Sequence, residues 1–160
     1  MFDECEIIEA IEGAASLILS AHKPSAFTGA GISQESGIPT YRRMNGSIWE
    51  TVNVDDVGTA FAFYQNPQRV WDFWSEQRAI MLNAEPNHGH NSLSKIEADY
   101  TSGLPIITQN VDNLHERAGS RNVIHLHGDI TKLRCSKYCK GVPSIIPFID
   151  LDVEETSSPQ

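Results

Sequence analysis

The sequence is poor in cysteine, in basic residues and in long apolar runs. Three cysteines occur among 160 residues. They are odd in number and lack the spacing of a disulfide framework, which excludes a small disulfide-stabilised fold and favours a reducing compartment. Lysine and arginine number 12 against 21 aspartates and glutamates, so the net charge is -9. This balance argues against direct binding of nucleic acid or of an anionic membrane surface.

Targeting and membrane signals are also missing. No apolar run approaches the roughly 20 residues of a membrane-spanning helix. The first ten residues, MFDECEIIEA, are acidic and lack both the basic region of a secretory signal and the arginines of a mitochondrial transit peptide. We therefore expect an intracellular protein, cytoplasmic or nuclear, that binds no membrane. The sequence leaves its oligomeric state open.

The hydrophobic pattern predicts an α/β fold. Apolar residues at helical spacing predict a helix over 6–21, and helix starts follow Asn66-Pro67 and Pro86-Asn87. A short helix is predicted over 111–118. Strands are predicted over 25–28, 104–108 and 122–126. Because strands alternate with helices, we predict a Rossmann-like parallel sheet with a small helical insertion at 45–82.

The predicted sheet is narrow for a fold of this class. Three parallel strands normally belong to a wider sheet whose two faces are both covered. After residue 133 the alternating pattern fades. We therefore expect the fold to be incomplete at its C-terminal end.

The stretch TGAGISQESGIPTYR follows the first predicted strand. Gly29 and Gly31 would let the backbone approach a pyrophosphate at the start of a helix, where free amide groups favour an anion. The alternative is a tight turn from strand to helix without a ligand.

Polar residues follow the second predicted strand, in the stretch TQNVDNLHERAG. Gln109, Asn110 and Asp112 come just beyond the carboxyl end of the strand, where open α/β sheets bind ligands. Two amides and a carboxylate can recognise a neutral carboxamide such as nicotinamide. Alternatively, Asp112 and Asn113 are helix N-caps.

Two histidines alternate along the third predicted strand, in the stretch HLHGD. His125 and His127 would share one face of the strand and can together bind a metal. His127 lies at the strand end, where an imidazole can act as a general base. The alternative is a structural role for both.

These stretches together resemble the sirtuin family of NAD-dependent protein deacylases. The resemblance covers residues 25–139, and the motifs occur in the family's order. They are Gly29-Ala30-Gly31-Ile32-Ser33, Glu35-Ser36-Gly37-Ile38-Pro39 with Tyr41-Arg42, Pro86-Asn87 with His90 and Leu93, Thr108-Gln109-Asn110-Val111-Asp112 with Leu114-His115 and Ala118-Gly119, His127-Gly128, and Arg134-Cys135.

The resemblance implies a cofactor, a substrate and a set of site residues. In sirtuins the acyl oxygen of a modified lysine attacks the NAD carbon that bears nicotinamide, and the acyl group ends on ADP-ribose. By position, His127 would be the general base, Asn110 and Asp112 would line the nicotinamide pocket, and Gln109 would contact ribose. The cofactor loop would contain Gly29, Ala30, Gly31, Ser33, Tyr41 and Arg42.

Two other functions stay open beside deacylation of protein lysine. One is NAD-dependent transfer of ADP-ribose to a protein, which uses the same cofactor pocket with a different acceptor. The other is a non-catalytic fragment that binds NAD.

The resemblance implies that residues 1–139 form the N-terminal part of a sirtuin-type catalytic domain, with 140–160 as a non-homologous tail.

The family's structural zinc has only half of its ligands in this sequence. Sirtuins hold zinc with two cysteine pairs, of which Cys135 and Cys139 would be the first, with three residues between them instead of the usual two. Two thiolates do not close a tetrahedral structural site. We therefore do not expect this chain to bind zinc alone.

Within the family, the sequence is most similar to the desuccinylase and demalonylase branch. The shared stretches are Thr40-Tyr41-Arg42, Asn66-Pro67 and Arg69-Val70-Trp71. That branch holds the acyl carboxylate with a tyrosine and an arginine three residues later. Trp74 and Gln77 occupy those acyl-pocket positions here and offer no cation. We therefore do not expect specificity for acidic acyl groups, and the alternative role of Trp74 is packing with Trp71 and Phe73.

Overall fold

The computed structural model describes residues 3–40, 52–100, 103–141 and 145–147. Its helices are α1 (Glu4–Ser20), α2 (Ala60–Gln65), α3 (Pro67–Asn83), α4 (His88–Asp99) and α5 (Leu114–Arg117). Its strands are β1 (Ala26–Thr28), β2 (Ile106–Thr108), β3 (Val123–His125), β4 (Lys132–Leu133) and β5 (Ile146–Pro147). Two 3₁₀ helices, Ala30–Ser36 and Val54–Asp56, complete the described elements.

The first three strands form a parallel sheet in the order β1-β2-β3. Three rows of residues lie side by side across it, and the last row joins Thr28, Thr108 and His125. The three carboxyl ends therefore meet at one edge. This arrangement confirms the predicted α/β fold with a Rossmann-like parallel sheet. Strands β4 and β5 form a separate antiparallel pair.

The helix starts follow the capping signals of the sequence. Asn66 caps α3 by accepting a hydrogen bond from the backbone N–H of Arg69, with Pro67 at the first helical position. Asn87 caps α4 in the same manner. These polar side chains satisfy amide groups that have no partner within the helix.

Helix α5 is shorter than the predicted 111–118 because its first residues make other contacts. The carbonyl of Val111 accepts a hydrogen bond from the backbone N–H of Ile130 at 2.9 Å. The side chain of Asp112 accepts one from the N–H of Leu114 at 3.1 Å. These bonds hold Val111 and Asp112 in the loop, and the helix begins only at Leu114.

The main apolar cluster joins the segment after β1 to α3 and α5. Ile38, Met81, Ala84 and Leu114 form one buried cluster, and Ile106 is completely buried in β2. The opposite face of the sheet is open, because Phe27 of β1 and Ile124 of β3 are exposed. Helix α1 forms as predicted, but none of its described residues is buried. One face of the sheet and one apolar helix therefore lack cover within the described residues.

Helices α2 and α3 lie between β1 and β2 along the chain and pack against each other. They fall in the helical insertion that the sequence predicts over 45–82. Residues 45–51 of this stretch lie outside the described residues. The division into 1–139, with its insertion at 45–82, and a tail at 140–160 stays a prediction. Among the described residues, no helix is both long and apolar enough to cross a membrane.

Candidate functional site

The candidate site lies at the edge where the parallel strands end. Gly29 follows β1, Gln109 follows β2, and His127 lies two residues beyond β3. The backbone N–H of Gln109 donates to the carbonyl of Thr28 at 3.0 Å, which continues the sheet pairing into the loops. The structure thus brings the three predicted motifs to one edge of the sheet.

The loop after β1, which begins at Gly29, has backbone that is accessible to solvent. The 3₁₀ helix Ala30–Ser36 begins at Gly29, which has no side chain to cap the first amide groups. Among the described residues, a Cβ added to Gly29 or Gly31 would meet no atom within 4 Å beyond the neighbouring residues. Gly29 has extended backbone that any residue adopts, with φ -136°. Packing by the described residues therefore does not demand glycine at either position, and the backbone there is accessible to a ligand.

Asn110 ties the loop after β2 to the loop after β1. Its side-chain Nδ2 donates to the carbonyl of Gly29 at 3.2 Å and to the hydroxyl of Ser33 at 3.1 Å. Its backbone N–H donates to the hydroxyl of Thr108 at 3.0 Å. Asn110 is buried, so these bonds form away from bulk water. The amide side chain is held in one orientation as a result.

Ser33 is the centre of this polar network and is fully buried. Its hydroxyl donates to the carboxylate Oδ2 of Asp112 at 2.9 Å and accepts from Asn110. The other carboxylate oxygen of Asp112 accepts from the N–H of Leu114. Asp112 therefore caps the turn into α5, as one of the two alternatives predicted, and also belongs to the polar cluster. Asn113, the other predicted cap, makes no capping side-chain hydrogen bond.

His90 completes the network from α4, a role that was not predicted. Its Nδ1 accepts a hydrogen bond from the backbone N–H of Asn87 at 3.3 Å. This assigns the proton to Nε2, which lies 3.4 Å from the hydroxyl of Ser33. The available signal was the Asn87 helix cap with histidine at the third helical position, which is a capping box.

A second buried histidine, His115 of α5, lies beside His90. The two rings are edge to face with centroids 4.9 Å apart, and His115 Nε2 is 2.9 Å from the hydroxyl of Thr28. Burial, and then the proximity of His90, lowers the pKa of His115 to about 4. Burial also lowers the pKa of His90. Both imidazoles are therefore neutral at pH 7.

His127 is exposed at the mouth of this edge. Its Nδ1 is 2.9 Å from the carbonyl of Gln109. A carbonyl oxygen only accepts, so Nδ1 carries the proton in the neutral ring and Nε2 has a free lone pair. This tautomer suits a general base whose basic nitrogen is open to a substrate.

The two histidines of the β3 region do not converge on a metal. His125 contacts the carbonyl of Asn110 and the carboxylate of Glu116, whereas His127 contacts Gln109. In the described part of the chain, no group of three or more His, Cys, Asp or Glu side chains is placed to hold a metal ion.

The cysteines of this chain do not fit the structural zinc site that the resemblance implies. The thiols of Cys135 and Cys139 lie close enough to hydrogen bond, and the backbone N–H and thiol of Cys139 lower the pKa of Cys135. Cys5 is exposed on α1 and joins no such group. Within the described ranges, two thiolates alone face this position, which is half of a tetrahedral site.

The predicted acyl-pocket residues differ in their surroundings. Trp74 donates from Nε1 to the carbonyl of Val57 at 2.8 Å and contacts the ring of Phe73 edge to face. It borders a pocket of about 190 Å³ between α3 and the segment 129–133, together with Trp71 and Arg78. Gln77 is buried and is not among the lining residues. Tyr41 and Arg42, predicted for the cofactor loop, lie outside the described residues.

Comparison with known proteins gives concordant matches. The model of the Sir2 family matches residues 29–146. A relative from Aquifex aeolicus, named an NAD-dependent protein deacylase, is 48% identical over 127 residues, which are 75% of this chain and 52% of the relative.

Solved structures agree with these matches. A mutant Sir2 homologue in complex with ADP-ribose superimposes with a TM-score of 0.75 at 37% identity, covering 85% of this chain and 52% of that one. A Sir2 mutant with a deacetylated p53 peptide and 3′-O-acetyl ADP-ribose superimposes with a TM-score of 0.71 at 34% identity, covering 78% and 50%. The chain thus spans about half the length of the proteins it matches.

Proposed function

We propose that this chain, which belongs to the Sir2 family, binds NAD at the carboxyl edge of its sheet and serves the NAD-dependent removal of acyl groups from protein lysine. One observation carries the proposal. The glycine loop, the buried Ser33–Asn110–Asp112 cluster and the exposed His127 meet at a single edge. The relatives' name and the ADP-ribose complex of a similar structure support the same cofactor.

The glycine loop is proposed to hold the phosphates of NAD. Ala30 and Gly31 begin a 3₁₀ helix whose first amide groups have no side-chain cap. Such amides favour an anion, and the missing side chains at Gly29 and Gly31 leave room for it. The buried hydroxyl of Ser33 then keeps this loop fixed to β2 through Asn110.

Asn110 and Asp112 are proposed to face the nicotinamide ring. With the described residues, the side chain of Asn110 forms hydrogen bonds through Nδ2, and we propose that Oδ1 accepts from the carboxamide nitrogen of nicotinamide. Recognition of a neutral amide needs a donor and an acceptor held in place. The buried network supplies that rigidity before the ligand arrives.

His127 is proposed to take a proton from a ribose hydroxyl. NAD, when bound, supplies the electrophilic carbon that bears nicotinamide, and the acyl-lysine supplies the attacking oxygen. His127 Nε2 has its lone pair free because Nδ1–H donates to Gln109, whose carbonyl fixes the ring. The proposed substrate is therefore a protein or peptide with an acylated lysine.

The test is nicotinamide release by the purified chain with NAD and an acetyl-lysine peptide. We expect release that requires the peptide, together with an acylated ADP-ribose detected by mass spectrometry. His127→Gln should reduce the rate about 10²-fold or more, as expected for loss of a general base. His88→Gln, at an exposed histidine of α4, is the matched control.

Two outcomes would contradict this assignment. ADP-ribose attached to the peptide, with the acyl group intact, would indicate ADP-ribosyl transfer instead. Nicotinamide release that is equal with and without the peptide would show that the chain does not act on acyl-lysine.

A further inference from the structure

We propose that protonated His125 is a positioning residue that links Glu116 to the carbonyl of Asn110, and that NAD affinity falls when His125 loses its proton. The inference rests on the NAD site proposed above. It assigns to His125 and Glu116 a function that neither the glycine loop nor His127 performs.

The geometry places an acceptor at each nitrogen of the His125 ring. Nδ1 lies 2.9 Å from the backbone oxygen of Asn110, and Nε2 lies 2.8 Å from a carboxylate oxygen of Glu116. The side chain of His125 is 9% exposed and that of Glu116 is 41% exposed, so the ring is shielded from water while its carboxylate partner is partly hydrated. The ring thus joins β3, the loop after β2, and α5.

Only the imidazolium form donates both of these hydrogen bonds. A carbonyl and a carboxylate both accept, so a neutral ring with a single N–H leaves one of them facing a lone pair. The bond to the carboxylate is charge-assisted and therefore the stronger of the two. The remaining proton stays on Nε2, and the bond to Asn110 is the one that is lost.

The surrounding charges favour the protonated ring. The hydrogen bond with Glu116 raises the pKa of His125; burial opposes this, while the Asn110 carbonyl and Asp129 add to it. Asp129 is itself paired with Lys132 at 2.7 Å. On α5, His115 also faces His125 and is neutral at pH 7. The charge of Glu116 is therefore the main partner of the ring.

The link reaches the proposed nicotinamide contact through the backbone of Asn110. The same residue binds Gly29 and Ser33 with its side chain, so the position of its peptide group sets the position of that amide. Losing the bond from His125 leaves the loop after β2 less constrained at Asn110, the residue that would contact the ligand. NAD affinity should then depend on pH without His125 touching NAD.

The experiment is calorimetric titration of the full chain with NAD from pH 5.5 to 9. For the unchanged chain we expect the Kd to rise about three- to tenfold as pH increases, with a midpoint above 6.5, which is the effect of one hydrogen bond. His125→Gln should lack this midpoint. Glu116→Gln should move the midpoint to lower pH, because the carboxylate that favours the proton is gone. Glu76→Gln and His88→Gln, at exposed positions, should leave the curve unchanged.

The outcomes separate the two proposals. NAD binding with a midpoint that persists in His125→Gln and does not move in Glu116→Gln would overturn the role of His125 and leave the NAD site standing. Absence of NAD binding at every pH would overturn the NAD site and, with it, this inference. A midpoint that is absent in His125→Gln and moves to lower pH in Glu116→Gln supports the role of His125. A contact with a structural role alone would not change the midpoint when the charge of Glu116 is removed.

Discussion

At the residue scale, the site depends on a few side chains that each satisfy several neighbours. Ser33 accepts from Asn110 and donates to Asp112 in a position without solvent. A buried polar network of this kind is rigid when every member is paired and costly when one is removed. The same residues therefore contribute to folding and to the proposed ligand site.

Ser33→Ala should lower the free energy of unfolding by about 1–3 kcal/mol, because Asp112 loses a buried donor and Asn110 loses an acceptor. Urea unfolding followed by circular dichroism measures this difference. Ser16→Ala, at an exposed position of α1, should change the free energy by no more than about 0.5 kcal/mol. Equal effects of the two substitutions would show that the network does not stabilise the fold.

The buried histidines predict loss of stability in acid. The folded-state pKa of His115 is lowered from 6.5 to about 4, so the unfolded chain binds more protons than the folded chain between these values. The stabilisation is present above pH 6.5 and is lost as pH falls toward 4. In His115→Gln, the free energy of unfolding should fall less steeply over this range than in the unchanged chain. Identical slopes in urea titrations at pH 4.5–7 would contradict the assignment.

At the element scale, local signals in the sequence located most of the secondary structure. Asn66-Pro67 marks the start of α3, and β2 and β3 fall within the predicted stretches. Local signals did not predict the late start of α5, because Val111 is held by Ile130, which is distant in sequence. The contact of His90 with His115 was missed for the same reason, since it joins two different helices.

The cap of α3 offers a test at this scale. Asn66→Ala should lower the free energy of unfolding by about 1 kcal/mol, because the N–H of Arg69 loses its acceptor. Asn66→Asp keeps an acceptor and should retain most of the stability. Thermal and urea unfolding of both variants measure the difference. If the aspartate variant is as unstable as the alanine variant, the cap is not the source of the effect.

At the scale of the whole molecule, the described residues cover one face of the parallel sheet and leave the other face exposed. Ile106 and Thr108 are completely buried on one face, while Phe27 and Ile124 are exposed on the other. The sequence predicted a narrow sheet from its three strands, and the described residues contain such a sheet. Periodicity could not show which face lacks cover, because it depends on how the helices pack. The chain spans about half the length of its relatives, and the residues at the carboxyl edge of the sheet are present within that half.

Calorimetric titration of the purified chain with NAD at pH 6.5 tests directly whether the carboxyl edge of the parallel sheet binds NAD. We expect saturable binding that weakens at least about tenfold in Asn110→Ala, since the amide that contacts the ligand is removed. Binding should be unchanged in Asn91→Ala, at an exposed position of α4. A folded chain that binds no NAD, or binds it equally in all three forms, would contradict the claim.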